Sequence, residues 1–597
     1  MKRNPNPMAI NDTLSVEALR MVPSELTRFS GQYRLLFVVL IFSLFPLTTT
    51  TVILSSLYSN LPRLLGQRKR PPYHNSTPRK RILITGANTP TALTLARLLH
   101  VEGHTVLAAD HEPIALLSPA RVSKAVTKFY RLSEPASVAR NTAKQEGSRI
   151  TRIGTIVHSS QDVSKDSSVV ELYSGDIDAI LKHCGGVDLW IPCDDASISP
   201  EVLAEARNVV MSYRGSAIYP EEDVTKLSTD PVAFADFVAG LRTSIKPPET
   251  RIMQSRTEIH HILGDSQKER QYLLEKRKEP EDDTLKDMNG AIKMNRDSVM
   301  SMSVDSIFPI ERRGTTASMV LPRPTMNETY HSIADMRISK RDPWIMKEVV
   351  EGEKVMAHAL LVDSKVRAFT VTLTPTSLKD TSLGGKANST PSTEYTTMSP
   401  SSALHSTLLS FTQGFASSLP NDTTTHLSLT FALCETPCPA GTCRVIRPLS
   451  CFMLPHSSIS LLALSQEHSS RLAKAYLVAV KNPESIDNMT ANDLRPEAAK
   501  DEGFILRAAG TTHVGIYSLP QDTVDFLLLP LLRLPLLRSS LLEVVERSTK
   551  FAERLLLWKE ETFDWQDPWP WWWQWHVRMP TEFVVARSGA VRKAWPA

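Results

Sequence analysis

Hydrophobic and polar positions follow three different rhythms along this chain. The first is a block without charge, Leu35–Leu57 (LLFVVLIFSLFPLTTTTVILSSL). At 1.5 Å per residue it reaches about 34 Å, enough for a hydrocarbon core of about 30 Å. The block predicts a spanning helix, with an interfacial helix and a secretory signal as alternatives; its Ser/Thr content and Pro46 count against a simple span. The second rhythm is short apolar runs alternating with helical periodicity. Arg81–Thr85 (RILIT) predicts a strand, Thr91–Leu99 a helix, Thr105–Ala109 a second strand, and Lys182–Cys193 ends in another apolar run. Strands that alternate with helices predict a parallel sheet covered on both faces. The third rhythm predicts paired strands. Trp344–Thr372 reads as two strands around a turn at Glu351-Gly352-Glu353, and Leu427–Leu433 and Arg444–Met453 as a further pair. Val224–Leu241 reads as a helix interrupted by Pro231, and 540–557 is helical by period. Residues 135–175 read as polar and loop-rich, 264–300 as a charged, solvated insertion with some helix and 375–403 as a mobile Ser/Thr/Pro-rich loop. Phe526–Leu537 (FLLLPLLRLPLL) is too short to span and reads as a buried or interfacial segment. No internal repeat is visible.

Composition narrows these readings. The chain has 597 residues, 42% hydrophobic and 22% charged, with a mean hydropathy of -0.17. That excludes a wholly disordered chain and a polytopic membrane protein. Net charge is +4 over 68 basic and 64 acidic residues, which makes no electrostatic case for a nucleic-acid partner. Arg20, Arg28 and Arg34 precede the apolar block; Arg63, Arg68, Lys69, Arg70, Arg79, Lys80 and Arg81 follow it. The heavier side faces the cytosol by the positive-inside rule, so a single-pass membrane protein with most of the chain cytosolic is expected. Six cysteines do not make a disulfide scaffold. The 23 glycines and 40 prolines are about 4% and 7% of the chain, where about 7% and 5% are usual. Nucleotide-binding enzymes use glycine where a loop approaches phosphate closely, so altered loops are expected.

Candidate chemistry is sparse. The first strand–turn–helix holds only Gly86 of a dinucleotide fingerprint, with Pro90 in the turn. Asp110 at the end of the second strand is the ribose-binding candidate in that reading, but side chains in the turn obstruct a pyrophosphate, and a structural β–α unit or the edge of another site is preferred. Cys434, Cys438, Cys443 and Cys451 match no standard zinc spacing, and no histidine pair has ligand spacing. No nucleophile elbow, Walker A loop or kinase signature is present. Trp558, Trp565, Trp569, Trp571, Trp572, Trp573 and Trp575 gather seven of the ten tryptophans near the C-terminus. They read either as an aromatic plug or as an anchor at the headgroup level.

The order of motifs carries more than any one of them. After the apolar block come RILITGANTPTALTLARLLHVEGHTVLAAD, VDLWIPCDDAS, VTKLSTDPVAFADFV, LPRPTMNETY, DPWIMKEVVEGEKVMAHALL, HLSLTF and WKEETFDWQDPWPWWWQWH. This order resembles the ATP-grasp ligases, specifically the membrane-segment-bearing group that includes the mycosporine-glycine synthase type. The resemblance implies an α/β and α+β fold: a Rossmann-like pre-ATP-grasp domain, then two lobes that hold ATP between sheets. It implies the following organisation: a polar tail over 1–34, a transmembrane helix over 35–57, a basic linker over 58–79, the Rossmann-like domain over 80–222, lobes over 223–539 with inserts at 264–300 and 375–403, and a C-terminal helix with a Trp-rich tail over 540–597. The implied reaction phosphorylates a small-molecule acid with ATP and lets an amine displace phosphate.

By the same resemblance Lys347 and Glu348, with the backbone of Val349 and Val350, take the adenine edge. Glu353 lies near the ribose-contacting acid, whose own column holds Lys354. Lys293 takes a phosphate if an insertion precedes Arg312-Arg313; otherwise that position is Val304. The family's early lysine falls on Pro231. In the metal motif Arg447 stands for a glutamate and Leu449 for an asparagine, and Thr430 replaces an aspartate. A cation repels Mg²⁺, so the family's metal site is not expected and no metal ligand is assigned; Arg447 can instead meet nucleotide phosphates. Two functions follow as expectations, an ATP-dependent carboxylate–amine ligase at a membrane or an inactive relative that scaffolds partners or binds nucleotide there.

Overall fold

The computed structural model describes residues 31–64, 79–112, 117–133, 167–194, 198–265, 270–277, 318–334, 336–340, 342–373, 395–438, 441–480, 505–507, 515–528, 530–531, 534 and 539–581. It begins with one long helix, α1 (Gly31–Leu64). Residues 31–34 of the expected tail thus begin the helix, and residues 58–64 of the expected linker continue it. Residues 1–30 and 65–78 lie outside the described residues. Among the described residues this is the one helix long and apolar enough to cross a membrane, over Ile41–Ser59.

A doubly covered parallel sheet follows. Its elements are β1 (Arg81–Thr85), α2 (Pro90–Val101), β2 (Thr105–His111), β3 (Lys128–Leu132), α3 (Ser167–Cys184), β4 (Leu189–Pro192), α4 (Pro200–Ser212) and β5 (Ser216–Ala217), with strand order β3-β2-β1-β4-β5. Strand pleating sends successive side chains to opposite faces. Ile82 and Ile84 join Leu95, Leu99, Val106 and Ile191 on one face; Leu83 joins Leu107, Ile177, Leu181 and Trp190 on the other. Continuous apolar runs such as RILIT are what a strand buried on both faces requires. The polar-loop reading of 135–175 is corrected at its end: from Ser167 the chain is helical, and Ile177, Ile180 and Leu181 give that helix its buried stripe.

Two prolines that read as intrusions are helix starts. Pro90 opens α2 behind Thr89, whose hydroxyl accepts the Ala92 amide at 3.2 Å. Pro231 opens α6 (Pro231–Gly240) directly after α5 (Glu222–Thr229), and Asp230 caps it by accepting the Val232 amide at 2.8 Å. A missing N–H costs nothing at the first helical position.

The next unit is a four-stranded antiparallel sheet made by β6 (Thr250–Met253), α7 (Arg256–Asp265), β7 (Tyr272–Lys276), β8 (Ser318–Leu321), α8 (Met326–Ala334) and β9 (Trp344–Glu348), in the order β6-β9-β7-β8. Its core gathers Met253, Ile259, Tyr272, Leu274, Ile333, Trp344 and Met346. The insertion expected at 264–300 is therefore corrected over its first part, since Tyr272 and Leu274 alternate into this core. Residues 278–317, with Lys293, Val304 and Arg312-Arg313, lie outside the described residues.

The third unit is an eight-stranded sheet. It holds β10 (Glu353–Val362), β11 (Lys365–Leu373), β12 (Tyr395–Thr397), β13 (Thr425–Cys438), β14 (Gly441–Phe452), β15 (Leu506–Arg507), β16 (Gly515–Tyr517) and β17 (Lys559–Glu560). The two-strand reading of Trp344–Thr372 is corrected to three strands in two sheets. Trp344 and Met346 enter one core, and Val355, Ala357 and Phe369 enter another. The turn that splits the second half is Asp363-Ser364, both at positive φ, 49° and 57°, as a two-residue hairpin turn needs. β13 and β14 pair antiparallel as the pattern predicts. The loop expected at 375–403 contains a strand at Tyr395–Thr397, and helix α9 (Ala403–Ser417) starts at its end; 374–394 lie outside the described residues. Helix α10 (Gln466–Leu477) sends Leu472 and Tyr476 into the core shared by the parallel sheet and by Leu360 and Val362 of β10.

The C-terminal part folds back on the first unit. Thr523–Leu528 forms a half-buried π-helical turn, α11 (Leu541–Leu557) matches the helix expected at 540–557, and α12 (Trp569–Trp573) runs on into a π-turn over Gln574–Arg578. Residues 582–597 lie outside the described residues.

Candidate functional site

β9 leads through Val349–Gly352 into β10, so one short connection joins the four-stranded sheet to the eight-stranded one. This turn needs its glycine. A Cβ on Gly352 would collide with the backbone carbonyl of Leu433 in β13. The connection therefore lies against β13 of the eight-stranded sheet as closely as backbone permits.

Strand pleating sorts the expected site residues. Trp344 and Met346 point into the core of the four-stranded sheet, which leaves Ile345 and Lys347 on its other face, in register with Glu275 and Leu273 of β7. Lys347 Nζ lies 3.7 Å from Glu275. Glu348 turns the opposite way. Its carboxylate accepts the Glu249 amide at 3.0 Å and sits 3.8 Å from Arg270 and 3.9 Å from Arg447. The Glu348 amide donates to Glu249 O at 2.8 Å and the Val349 amide to Gln271 O at 2.7 Å. The Val350 amide meets no partner among the described residues.

On the eight-stranded sheet Val355, Ala357, Phe431 and Leu433 face the core. The other face presents Lys354, Met356 and His358 of β10, Ser428, Thr430 and Ala432 of β13, and Arg447 of β14. Lys354, Ala432 and Arg447 lie side by side in register. Glu353 begins β10 on the core side of the pleat, so Lys354, not Glu353, shares a face with Arg447. Among these described positions none is a carboxylate. Leu449 is the extra residue of a bulge: Pro448 pairs with Phe431 and Ser450 with Thr430. Arg447 also donates to Pro247 O at 3.4 Å.

Deeper on that face lies a cluster that sequence reasoning did not assemble. His358 bonds Ser428 Oγ at 2.8 Å and Thr372 Oγ1 at 3.0 Å, and it stacks on His456 with centroids 4.1 Å apart at 10°. Burial pushes His456 down to about 4 and His358 well below the usual imidazole range. Both rings are neutral at pH 7. Their sequence separation of almost a hundred residues gave no spacing signal.

The C-terminal ends of the parallel strands form a second polar group. Asp110 accepts the Asn88 amide at 2.5 Å and the His111 amide at 2.6 Å. Both oxygens are thus engaged by backbone. Asp194 accepts from Thr85 Oγ1 at 2.5 Å and from the Tyr173 hydroxyl at 3.1 Å. Burial, and then the nearby Asp194 charge, push Asp110 up to about 7. Arg578 reaches this turn from the Trp-rich tail and donates to Asn88 O at 3.1 Å.

Among the described residues no group of three or more His, Cys, Asp or Glu side chains could hold a metal ion. Arg447 and Leu449 stand at the positions where the resemblance expects a glutamate and an asparagine, and the neighbouring strand offers Thr430. This donor set does not fit Mg²⁺, a hard cation that takes oxygen ligands.

No family model and no curated protein matches the chain. Solved structures that resemble it include the ADP complex of an N5-carboxyaminoimidazole ribonucleotide synthetase (10% identity, TM-score 0.36, covering 66% of this chain and 75% of that one). Others are the L-amino acid ligase from Bacillus licheniformis (8%, 0.37, 67% and 75%) and phosphoribosylglycinamide synthetase from Anaerococcus prevotii (11%, 0.40, 68% and 77%). Likeness at this level fixes neither activity nor substrate.

Proposed function

We propose that this chain is an ATP-grasp-type protein, related to carboxylate–amine ligases of the mycosporine-glycine synthase group, that holds a nucleotide between its four-stranded and eight-stranded sheets without the family's metal-dependent phosphoryl transfer. The observation that carries the reading is the hinge. Through Val349–Gly352, the four-stranded sheet passes directly into one that carries Lys354 and Arg447 side by side on a single face, and these two cations supply what phosphates need. Among the described residues the Val350 amide has no partner and can meet an adenine edge, whereas those of Glu348 and Val349 are already engaged.

Phosphoryl transfer in this family depends on neutralising charge at the phosphates with metal ions. Here a guanidinium stands at that position, so binding is retained and turnover is not. The reading includes attachment to a membrane through α1, with most of the chain on the cytosolic side. Titration calorimetry of the folded chain with ATP tests it. Binding is expected with and without Mg²⁺, little altered by the metal, with ADP formation at background. Arg447→Ala should weaken ATP about tenfold, or about 1.4 kcal/mol. No binding at millimolar ATP by folded protein would sink the nucleotide reading. Steady ADP formation dependent on an acid and an amine would instead favour a working ligase.

A further inference from the structure

Helix α1 is docked along the body of the protein. Ile41 and Val52 are fully buried with Trp571 and Trp575. Thr48 Oγ1 bonds His576 Nε2 at 2.7 Å, Trp572 Nε1 donates to Thr49 Oγ1 at 3.0 Å, and Ser55 Oγ donates to Trp565 O at 2.7 Å. This seam runs from Ile41 to Ser55, about 21 Å at 1.5 Å per residue.

The Trp-rich segment that receives the helix is fastened to the parallel-sheet unit. Arg97 and Asp567 form a buried ion pair at 3.1 Å; Ser123 Oγ and the Lys124 amide donate to the same carboxylate. Arg578 holds the first strand–helix turn. If α1 crossed a hydrocarbon core of about 30 Å, most of that depth would coincide with the seam. The Trp-rich segment and the charged unit bolted to it would have to enter the core. Charged and hydrated surface does not do so.

The outward side of α1 suits lipid nonetheless. Phe42, Leu47, Ile53, Leu54, Leu57 and Tyr58 are each 47–73% exposed. The outward hydroxyls of Thr50 and Thr51 bond back to Pro46 O and Leu47 O at 2.7 and 2.9 Å, so they present no open donor to lipid. A second helix repeats the pattern. On α11 Leu541, Leu542, Val545, Thr549, Ala552 and Leu556 form one exposed, uncharged arc, while Val544, Arg547 and Arg554 face the body. The two helices share a support. Leu528, in the Thr523–Leu528 turn, joins the α1 cluster, and Arg547 and Arg554 of α11 pack on Asp525 and Phe526 of the same turn. Trp565 is 61% exposed next to Ser55.

We infer that α1 lies in the plane of one leaflet and does not cross it, and that α1, α11 and the exposed tryptophans together seat the protein on an anionic bilayer surface. In sequence the apolar face is followed by Arg63, Arg68, Lys69 and Arg70, a run of the charge sign that anionic headgroups attract. The inference rests on the membrane reading of α1 and is independent of nucleotide binding.

Flotation and topology of the full chain test it. The protein should float with phosphatidylcholine vesicles that contain phosphatidylserine and less with phosphatidylcholine alone. The triple variant Leu542→Glu, Val545→Glu, Leu556→Glu, at outward positions, should keep its circular dichroism and lose about tenfold or more in vesicle partition. When the chain is synthesised with sealed microsomes, protease added outside should remove tags from both termini. A protected N-terminal tag overturns the in-plane placement and leaves the membrane reading standing. Absence of flotation overturns both, including the case where the chain buries this face in a lipid-independent dimer. Unchanged partition of the triple variant overturns the part assigned to α11.

Discussion

The strand ends of the parallel sheet and the cleft face of the eight-stranded sheet treat charge in opposite ways. The first keeps two carboxylates, Asp110 and Asp194, and satisfies them with backbone amides and hydroxyls. The second has none among its described positions and presents Lys354, Arg447 and a neutral histidine stack. Buried acid is tolerated where donors are already fixed around it. A face proposed to meet phosphates gains more from cations that stay partly hydrated. The contrast teaches that carboxylates are absent locally, among the described positions of the face proposed for a nucleotide, and not throughout the chain.

The sharpest way to break the contrast is to crowd the acid-bearing edge. Gly86 has φ +67°, and a Cβ there would run into the backbone of Cys193 and Asp194. Backbone cannot yield as a flexible side chain can, so Gly86→Ala should cost about 3–5 kcal/mol by thermal or urea unfolding. Gly175, inside α3 with open space where a Cβ would go, is the control. Gly175→Ala should be neutral or stabilising by up to about 1 kcal/mol. Equal losses at both sites would mean that the close approach at Gly86 is not rigid.

A smaller effect tests the carboxylates themselves. Asp110 is pushed up to about 7 from an ordinary 3.8. Between those values the folded state holds a proton that the unfolded state has released. Its contribution is therefore full below about pH 4 and is lost as pH rises through 7. Glu560, pushed up to about 7 by burial, acts with the same sign. Asp194→Asn removes a like charge from beside Asp110 and can still accept from Thr85 and Tyr173. The melting temperature of this variant should fall less between pH 5 and pH 8 than that of the parent, by on the order of 1 kcal/mol of stability. Identical pH profiles would mean that the two carboxylates do not sense each other.

Particular residues show what the sequence could reveal. RILIT was legible because a strand buried on both faces leaves a continuous apolar run, and β13 because apolar and polar positions alternate along His426–Leu433. The prolines were misleading. Pro90 and Pro231 read as losses in ligand loops, yet Thr89 and Asp230 before them are ordinary N-caps, so the low glycine and high proline content partly records helix starts. The hairpin turn at Asp363-Ser364 carried no glycine or asparagine to announce positive φ. Site residues were harder still. Lys347, Glu348 and Arg447 could be nominated, but their opposed faces depend on register. The approach of Arg447 to Glu348 spans about a hundred residues of sequence that no local pattern encodes.

That cross-sheet pair gives the smallest and most specific effect. Arg447 and Glu348 are 3.9 Å apart, with side chains 31% and 14% exposed. A pair this long and this hydrated has little net energy, so a double-mutant cycle with Arg447→Ala and Glu348→Ala should give a coupling of about 0.5 kcal/mol. Raising salt should shrink it, because the screening length falls from about 10 Å at 0.1 M to about 3 Å at 1 M. The Arg97–Asp567 pair offers the contrast within the same protein, at 3.1 Å with side chains 12% and 6% exposed. Its coupling should be larger and nearly independent of salt, since solvent ions do not reach it. ATP should lower the Arg447–Glu348 coupling further, because phosphate competes with Glu348 for the same guanidinium. A coupling that salt and ATP both leave unchanged would make Arg447 a lobe-locking residue, and the cleft would have no claim to nucleotide phosphates through it.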